Sequence, residues 1–145
     1  MLTAERRVLV VDDDADYAEA QAEVLDMNGY LAKIAGSSEE ALDITSTWPP
    51  QVALLDNNLG KDKGVDLIPG LKSLNPDVMC VLVTGFGTTD NAIQALRNGA
   101  VDFLRKPVGM PDILKCLDDC FERHQLRAER DQARRALDES EARLA

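Results

Sequence analysis

Five short apolar runs, separated by longer amphipathic segments, constrain the fold of this chain more than any other feature of its sequence. The runs span residues 7–11, 30–35, 52–55, 79–83 and 101–104. Those at 8–11, 52–55 and 78–83 are apolar without alternation, as strands covered on both faces must be. The runs at 30–35 and 101–104 are more mixed, which suits positions nearer a sheet edge. Between them lie helices. Residues 14–28 place Tyr17, Ala18, Gln21, Ala22, Val24 and Leu25 at helical spacing and stop at Gly29, a residue suited to a C-cap. Ser37-Ser38-Glu39-Glu40 reads as a capping box. Residues 64–74 form the next helix, with Pro69 expected in its first turn, where amides lack partners. Residues 88–98 follow, ending at Gly99, and a last helix starts at Pro111. Strands alternating with helices over short links give an α/β fold with a parallel sheet, here a three-layer sandwich.

The last helix outruns the domain. From Pro111 to Ala145 there is no glycine and no further proline, and the span would form about 50 Å of helix if continuous. Leu126, Ala133 and Ser140, with Arg130, Leu137 and Leu144, make a seven-residue repeat whose seam is only partly apolar. That pattern fits a weak coiled coil or signalling linker, and equally a solvated charged tail. The domain reading is therefore a globular unit over residues 5–122 and a helical extension over 123–145.

With 16 basic and 26 acidic side chains the net charge is −10, most of it in residues 1–110. Such a body does not bind nucleic acid through clustered cations; it collects carboxylates suited to a cation. Three cysteines make no disulfide framework and read as reduced thiols. Cys116, Cys120 and His124 fall on successive turns, too few ligands for a structural zinc, and are read as packing against the sheet or lining a helix pair. No run approaches the ~20 apolar residues that span a bilayer, and residues 1–7 lack the apolar core of a signal peptide. The expected setting is the cytoplasm, with no membrane partner.

Chemistry enters where polar residues meet the strand ends. In a parallel α/β sheet, ligands gather at the carboxyl ends of the strands. The first run ends in Asp12-Asp13-Asp14, the third in Asp56, the fourth in Thr84 and the fifth in Arg105-Lys106-Pro107. Taken singly, the acids could be helix caps, Asp56-Asn57-Asn58 a turn and Lys-Pro a loop pair. Those separate roles do not explain why all four fall at the same edge. Clustered carboxylates repel and need a cation at neutral pH. An acidic oxygen site of this size suits Mg²⁺, which keeps waters and is usually completed by a phosphate oxygen. Lysine and a threonine hydroxyl can bond a phosphoryl group. The set fits phosphoryl transfer onto or off a carboxylate.

These residues resemble the receiver domain of two-component response regulators over about residues 7–122. Val10-Val11-Asp12-Asp13, Leu54-Leu55-Asp56 with Gly64, Val81-Leu82-Val83-Thr84-Gly85, and the block from Gly99 to Pro107 carry the resemblance, in order and at the family's spacing. The resemblance implies a flavodoxin-like, doubly wound five-stranded parallel sheet with an extended C-terminal helix. It implies that Asp56 accepts a phosphoryl group from a histidine kinase or phosphotransfer protein. It also implies that Asp12, Asp13, Asp56 and the Asn58 backbone carbonyl hold Mg²⁺, that Lys106 bonds the phosphoryl group, and that Thr84 and Phe103 form the switch to a downstream effector. A cis Lys106–Pro107 bond is expected by the same analogy. Such a protein is a phospho-acceptor that dephosphorylates itself, not an enzyme in the ordinary sense.

Two departures stand out. Gly60 replaces the family's common proline four residues after the acceptor, and Lys61-Asp62-Lys63 follows, so the loop reads as more flexible and more charged. Gly85 after Thr84 should leave open access to Asp56 and favour exchange with small phosphodonors. The residues after Phe121 are too few for a DNA-binding, kinase or cyclase output. The ending Glu139-Ser140-Glu141-Ala142-Arg143-Leu144 resembles the helical lead-in before sensory PAS domains, which implies a piece of a receiver-containing sensor kinase; a stand-alone receiver is the other reading. Self-association could use the last helix or the face around 88–103.

The main rival is a haloacid dehalogenase-like phosphatase with Asp12 as nucleophile and Asp14 as general acid. It leaves Asp56 without a role, and no acidic pair follows Lys106 at a strand end. A dinucleotide fold lacks a glycine-rich turn after the first strand, since Gly85-Phe86-Gly87 follows the wrong one.

Overall fold

A computed structural model of the chain describes residues 5–85 and 89–144. The elements in chain order are β1 (Arg7–Val11), α1 (Ala15–Met27), β2 (Leu31–Ala35), α2 (Ser38–Thr47), β3 (Val52–Asp56), β4 (Asn58–Leu59), β5 (Asp62–Lys63), α3 (Gly64–Leu74), β6 (Met79–Thr84), α4 (Thr89–Arg97), β7 (Ala100–Arg105) and α5 (Met110–Leu144). The expected helix start at Thr88, the Phe86-Gly87 part of the glycine turn and Ala145 lie outside the described residues.

The main sheet has the order β2-β1-β3-β6-β7, and every pairing in it is parallel. β3 and β6 are buried throughout, whereas the edge strands β2 and β7 are partly exposed, as their mixed sequences indicate. Successive side chains of a strand face opposite ways, so the sheet feeds two cores. Leu9, Val11, Ala53, Leu55, Cys80 and Leu82 meet Ala41, Ile68, Leu71 and Ala95 from α2, α3 and α4. Val8, Val10, Val52, Leu54, Met79 and Val81 meet Ala18, Leu25, Ile113 and Leu117 from α1 and α5. Three layers result, and strand order reverses between β1 and β3, the switch point where open α/β sheets bind ligands.

Local details refine the sequence reading. Asp14 caps α1, accepting from the Tyr17 N–H at 3.2 Å, and Gly29 after the helix adopts φ 87°. Ser37 Oγ accepts from the Glu40 N–H at 3.1 Å, but the Glu40 carboxylate reaches back to the Gly36 N–H, one residue beyond the usual capping-box partner. Pro69 is not in the first turn: α3 begins at Gly64, directly after the β5 strand, which puts the proline at the sixth helical position. Residues 58–63 are not an irregular loop. They fold as a β4–β5 hairpin that pairs Asn58 with Lys63 and Leu59 with Asp62, turns at Gly60 (φ 74°) and is anchored by buried Leu59.

α5 runs 35 residues without a break. Its buried face, Ile113, Cys116, Leu117, Cys120 and Phe121, ends one turn before His124; residues 125–142 are exposed, with Leu126 and Leu137 each 59% accessible. Cys116 and Cys120 therefore pack into the core between α5 and the sheet. The Cys116 thiol donates to Asp102 Oδ2 at 3.5 Å. Its hydrogen bond with Cys120 pushes the Cys116 thiol up, with burial adding to the rise, and the same bond holds the Cys120 thiol below its usual value against the opposing effect of burial. No described helix is long and apolar enough to cross a membrane.

Candidate functional site

The parallel register carries the chain-distant polar residues to one edge of the sheet. Val11 lies beside Leu55, so Asp12 follows one strand as Asp56 ends the next. Asp56 lies beside Val83, one residue short of Thr84, and the Asn57 N–H donates to the Val83 carbonyl at 3.0 Å. Thr84 pairs with Arg105, and the Lys106 N–H donates to the Thr84 carbonyl at 2.8 Å. Lys106 precedes Pro107 through a cis peptide.

Side chains meet where the strands stop. Carboxylate oxygens of Asp12, Asp13 and Asp56 lie within 4.8 Å of one another. Lys106 Nζ sits 3.4 Å from Asp56 Oδ1 and 4.0 Å from Asp12 Oδ2. Asp12, Asp56 and Thr84 are buried, while Asp13 is exposed. Asp12 Oδ1 accepts the Asp14 N–H at 3.0 Å, and Asp56 Oδ1 accepts the Asn58 N–H at a long 3.4 Å. Burial raises the Asp12 pKa; the Asp14 amide opposes the rise, the charge on Asp56 adds to it and Lys106 lowers it again. One ammonium thus stands against three carboxylates, so the donor set is short of positive charge. Hard oxygen ligands clustered in this way fit a divalent cation.

Gly64 explains how the Asp56 end of β3 is held. A Cβ there would stand 2.3 Å from the Asp56 carbonyl oxygen and 3.2 Å from Asn57 Cα, so only glycine allows the chain to close so tightly on this peptide. The Gly64 N–H donates to the Asn57 carbonyl at 3.1 Å and the Val65 N–H to Asn57 Oδ1 at 3.3 Å. The hairpin between these anchors walls a cleft of about 410 Å³ that opens onto Asp56, Thr84 and Lys106.

Of the residues singled out from sequence, Asp12, Asp13, Asp56 and Lys106 converge, Thr84 lines the same cleft, and Asn58 begins β4 two residues from Asp56. Phe103 does not join them. It lies opposite Leu82 on β7, half-buried against the core that α2, α3 and α4 share. Asp14, the general acid of the phosphatase reading, caps α1 outside the carboxylate cluster. Sequence reasoning missed Tyr17, counted only as part of a helix face. Its ring centroid lies 5.3 Å from Lys106 Nζ, a cation–π approach that only the assembled sheet edge creates.

The response regulator receiver domain family matches residues 8–118. The chain belongs to this family. The receiver is 32% identical over 117 residues to the acid tolerance regulatory protein ActR of Sinorhizobium medicae, a match covering 81% of this chain and 60% of ActR. It thus spans 60–63% of the length of such curated relatives. Among solved structures, a CheY-like receiver domain protein from Methanospirillum hungatei superposes with a TM-score of 0.81 at 27% identity, over 86% of this chain and 99% of that one. A response regulator from Burkholderia pseudomallei, solved with a phosphorylated aspartic acid, a calcium ion and citrate, gives 0.75 at 32% identity, over 92% and 75%. The receiver is a signalling module of two-component systems, and the acidic pocket is where such domains bind a divalent metal.

Proposed function

We propose that Asp56 is the phospho-acceptor of this receiver. The observation that carries the reading is the buried Asp56 carboxylate at the mouth of the cleft, 3.4 Å from the Lys106 ammonium and clustered with Asp12 and Asp13. An Asp56 oxygen attacks the phosphorus of a phosphohistidine on a kinase or phosphotransfer protein. A P–O bond forms, the P–N bond breaks, and the imidazole leaves as the neutral ring after taking up a proton. Asp12, Asp13, Asp56 and the Asn58 carbonyl would hold Mg²⁺. When bound, the ion neutralises charge on the phosphoryl oxygens. Lys106 bonds a phosphoryl oxygen and Thr84 its neighbour, which couples occupancy of Asp56 to the end of β6. Phe103, on β7 three residues before Lys106, is the other half of the switch read by an effector domain or protein. Attack by water on the acyl phosphate returns Asp56 and inorganic phosphate.

The receiver proper spans residues 5–122, and residues 123–145 extend it as a helical linker through which two copies could pair. The setting is cytoplasmic, and the charge of −10 leaves direct nucleic-acid binding to other chains. The test is intact mass after incubation with acetyl phosphate and Mg²⁺. A single phosphoryl adduct on the wild type is expected, absent without Mg²⁺ and absent in Asp56→Asn. An adduct that persists in Asp56→Asn overturns the assignment.

A further inference from the structure

The rim of the cleft differs in charge from the body of the protein. The whole chain carries −10, yet the charged side chains lining the cleft over Asp56 are Asp56, Asp62, Lys61, Lys63 and Lys106, a cationic excess in the lining that Asp12 and Asp13 beside Asp56 outweigh until a divalent cation neutralises them. Without Lys61 and Lys63 the lining would be anionic. Both lysines are exposed, neither makes an ion pair among the described residues, and both line this cleft as well as the neighbouring hollow that holds Asp66.

Their position is fixed by the fold and is not that of a waving surface loop. The β4–β5 hairpin is pinned at one end by buried Leu59 and at the other by Gly64, whose backbone closes on the Asp56 carbonyl. Asn58 pairs with Lys63, which ties the second lysine to the segment leaving Asp56. We propose that Lys61 and Lys63 form an electrostatic lip that selects and draws in the phosphodonor, favouring dianionic phosphoryl groups. The inference rests on the Asp56 reading. It adds two specificity-determining residues that touch neither the metal cluster nor the reacting bond.

The physical case is one of steering. A phosphodonor dianion nearing an acidic body is repelled at long range, and a cationic rim at the entrance reverses the local potential where the donor must pass. At low ionic strength one ammonium about 8 Å from a dianion raises its local concentration about three-fold, and two raise it about ten-fold. Salt at about 0.5 M, with a Debye length of about 4 Å, removes most of this.

The experiment follows Asp56 phosphorylation by intact-mass time courses with millimolar Mg²⁺. Acetyl phosphate, a dianion, is compared with phosphoramidate, a monoanion near neutral pH. In each, the Asp56 oxygen bonds to phosphorus as acetate or ammonia leaves. The double variant Lys61→Gln/Lys63→Gln is expected to react about ten-fold more slowly with acetyl phosphate at low salt and about three-fold more slowly with phosphoramidate. Both deficits should shrink below about two-fold at 0.5 M salt, and Lys61→Arg/Lys63→Arg should restore the wild-type rate. Unchanged rates, equal losses for the two donors, or a loss that salt and arginine do not relieve overturn the lip. An absence of any adduct on the wild type overturns the Asp56 reading beneath it.

Discussion

Replacing Lys106 by methionine removes the ammonium that pairs with the buried acids and keeps most of its apolar stem. The ammonium lies 3.4 Å from Asp56 and 4.0 Å from Asp12. At an effective dielectric of about 20 those separations are gross attractions of about 5 and 4 kcal/mol. Most of this is offset by desolvation, and the Lys106 side chain is 32% exposed, so solvent screens part of the remainder. A net loss of about 2 kcal/mol is expected, or about 6–8 °C in Tm for a domain of this size. The measurement is thermal or urea unfolding in EDTA at pH 7. Two dependences give the argument its sign. Burial raises the Asp12 pKa in the native state, so its contribution to stability is present below the unfolded value near 3.8 and is lost as pH rises through the native value. Lys106 lowers that native value, so its removal widens the window of loss above 3.8 and changes nothing well below it. The deficit of Lys106→Met should therefore fade as the acids protonate. It should also shrink when millimolar Mg²⁺ supplies the missing charge. A deficit of equal size at low pH and with Mg²⁺ would mean that Lys106 acts by packing its stem and not by balancing charge.

Gly64→Ala forces a methyl group to 2.3 Å from the Asp56 carbonyl oxygen, a backbone atom that cannot swing aside. A loss of about 1–3 kcal/mol in urea unfolding is expected, together with slower acetyl phosphate labelling because the Asp56 end of β3 moves; an unperturbed variant would show that the hairpin relaxes freely. Burial pushes the Cys80 thiol from 9.0 up to about 12, so the stability it contributes is intact below pH 9 and declines as pH rises from 9 to 12. Cys80→Ala should flatten the alkaline fall in unfolding free energy by up to about 1.4 kcal/mol per pH unit, and a fall of unchanged steepness would assign it to other groups.

The layers of this receiver were legible because each obeys one strong local rule. A strand buried on both faces must be apolar at every position, and β3 and β6 are. Ser37 and Asp14 announced helix starts because an orphan amide needs an oxygen two or three residues back. What escaped the sequence depends on neighbours that the chain reaches only when folded. Lys61-Asp62-Lys63 reads as a charged loop until the closure of Gly64 on the Asp56 carbonyl makes a hairpin of it. The helix start at residue 64 agrees with the sequence reading, and it is Pro69 that departs from it: counted from Gly64 the proline is the sixth helical residue, past the first turn where an amide lacks a partner. Tyr17 sits at a helical spacing that any core residue could occupy, and its approach to Lys106 exists only because the segment after β7 and the start of α1 line one hollow in the folded chain.

Convergence of the site residues is a matter of register more than of composition. Parallel strands paired Val11 with Leu55, Asp56 with Val83 and Thr84 with Arg105 end nearly in step. The residues that follow each apolar run must then share one edge. Because strand side chains alternate, a slip of one residue in β3 would turn Asp56 into the opposite layer and bring an apolar neighbour to the carboxylate cluster. Burial of β3 on both faces resists such a slip only weakly, since every residue before Asp56 in that strand is apolar. Register is fixed instead by the strand's ends. The Gln51 N–H donates to the Arg7 carbonyl, the Gln51 side chain accepts from the Arg7 N–H at 2.8 Å, and the Asn57 N–H donates to Val83. Polar residues flanking an apolar strand thus do two things here: they hold Asp56 in phase with its partners, and they leave the buried acids to gather at the strand-end edge.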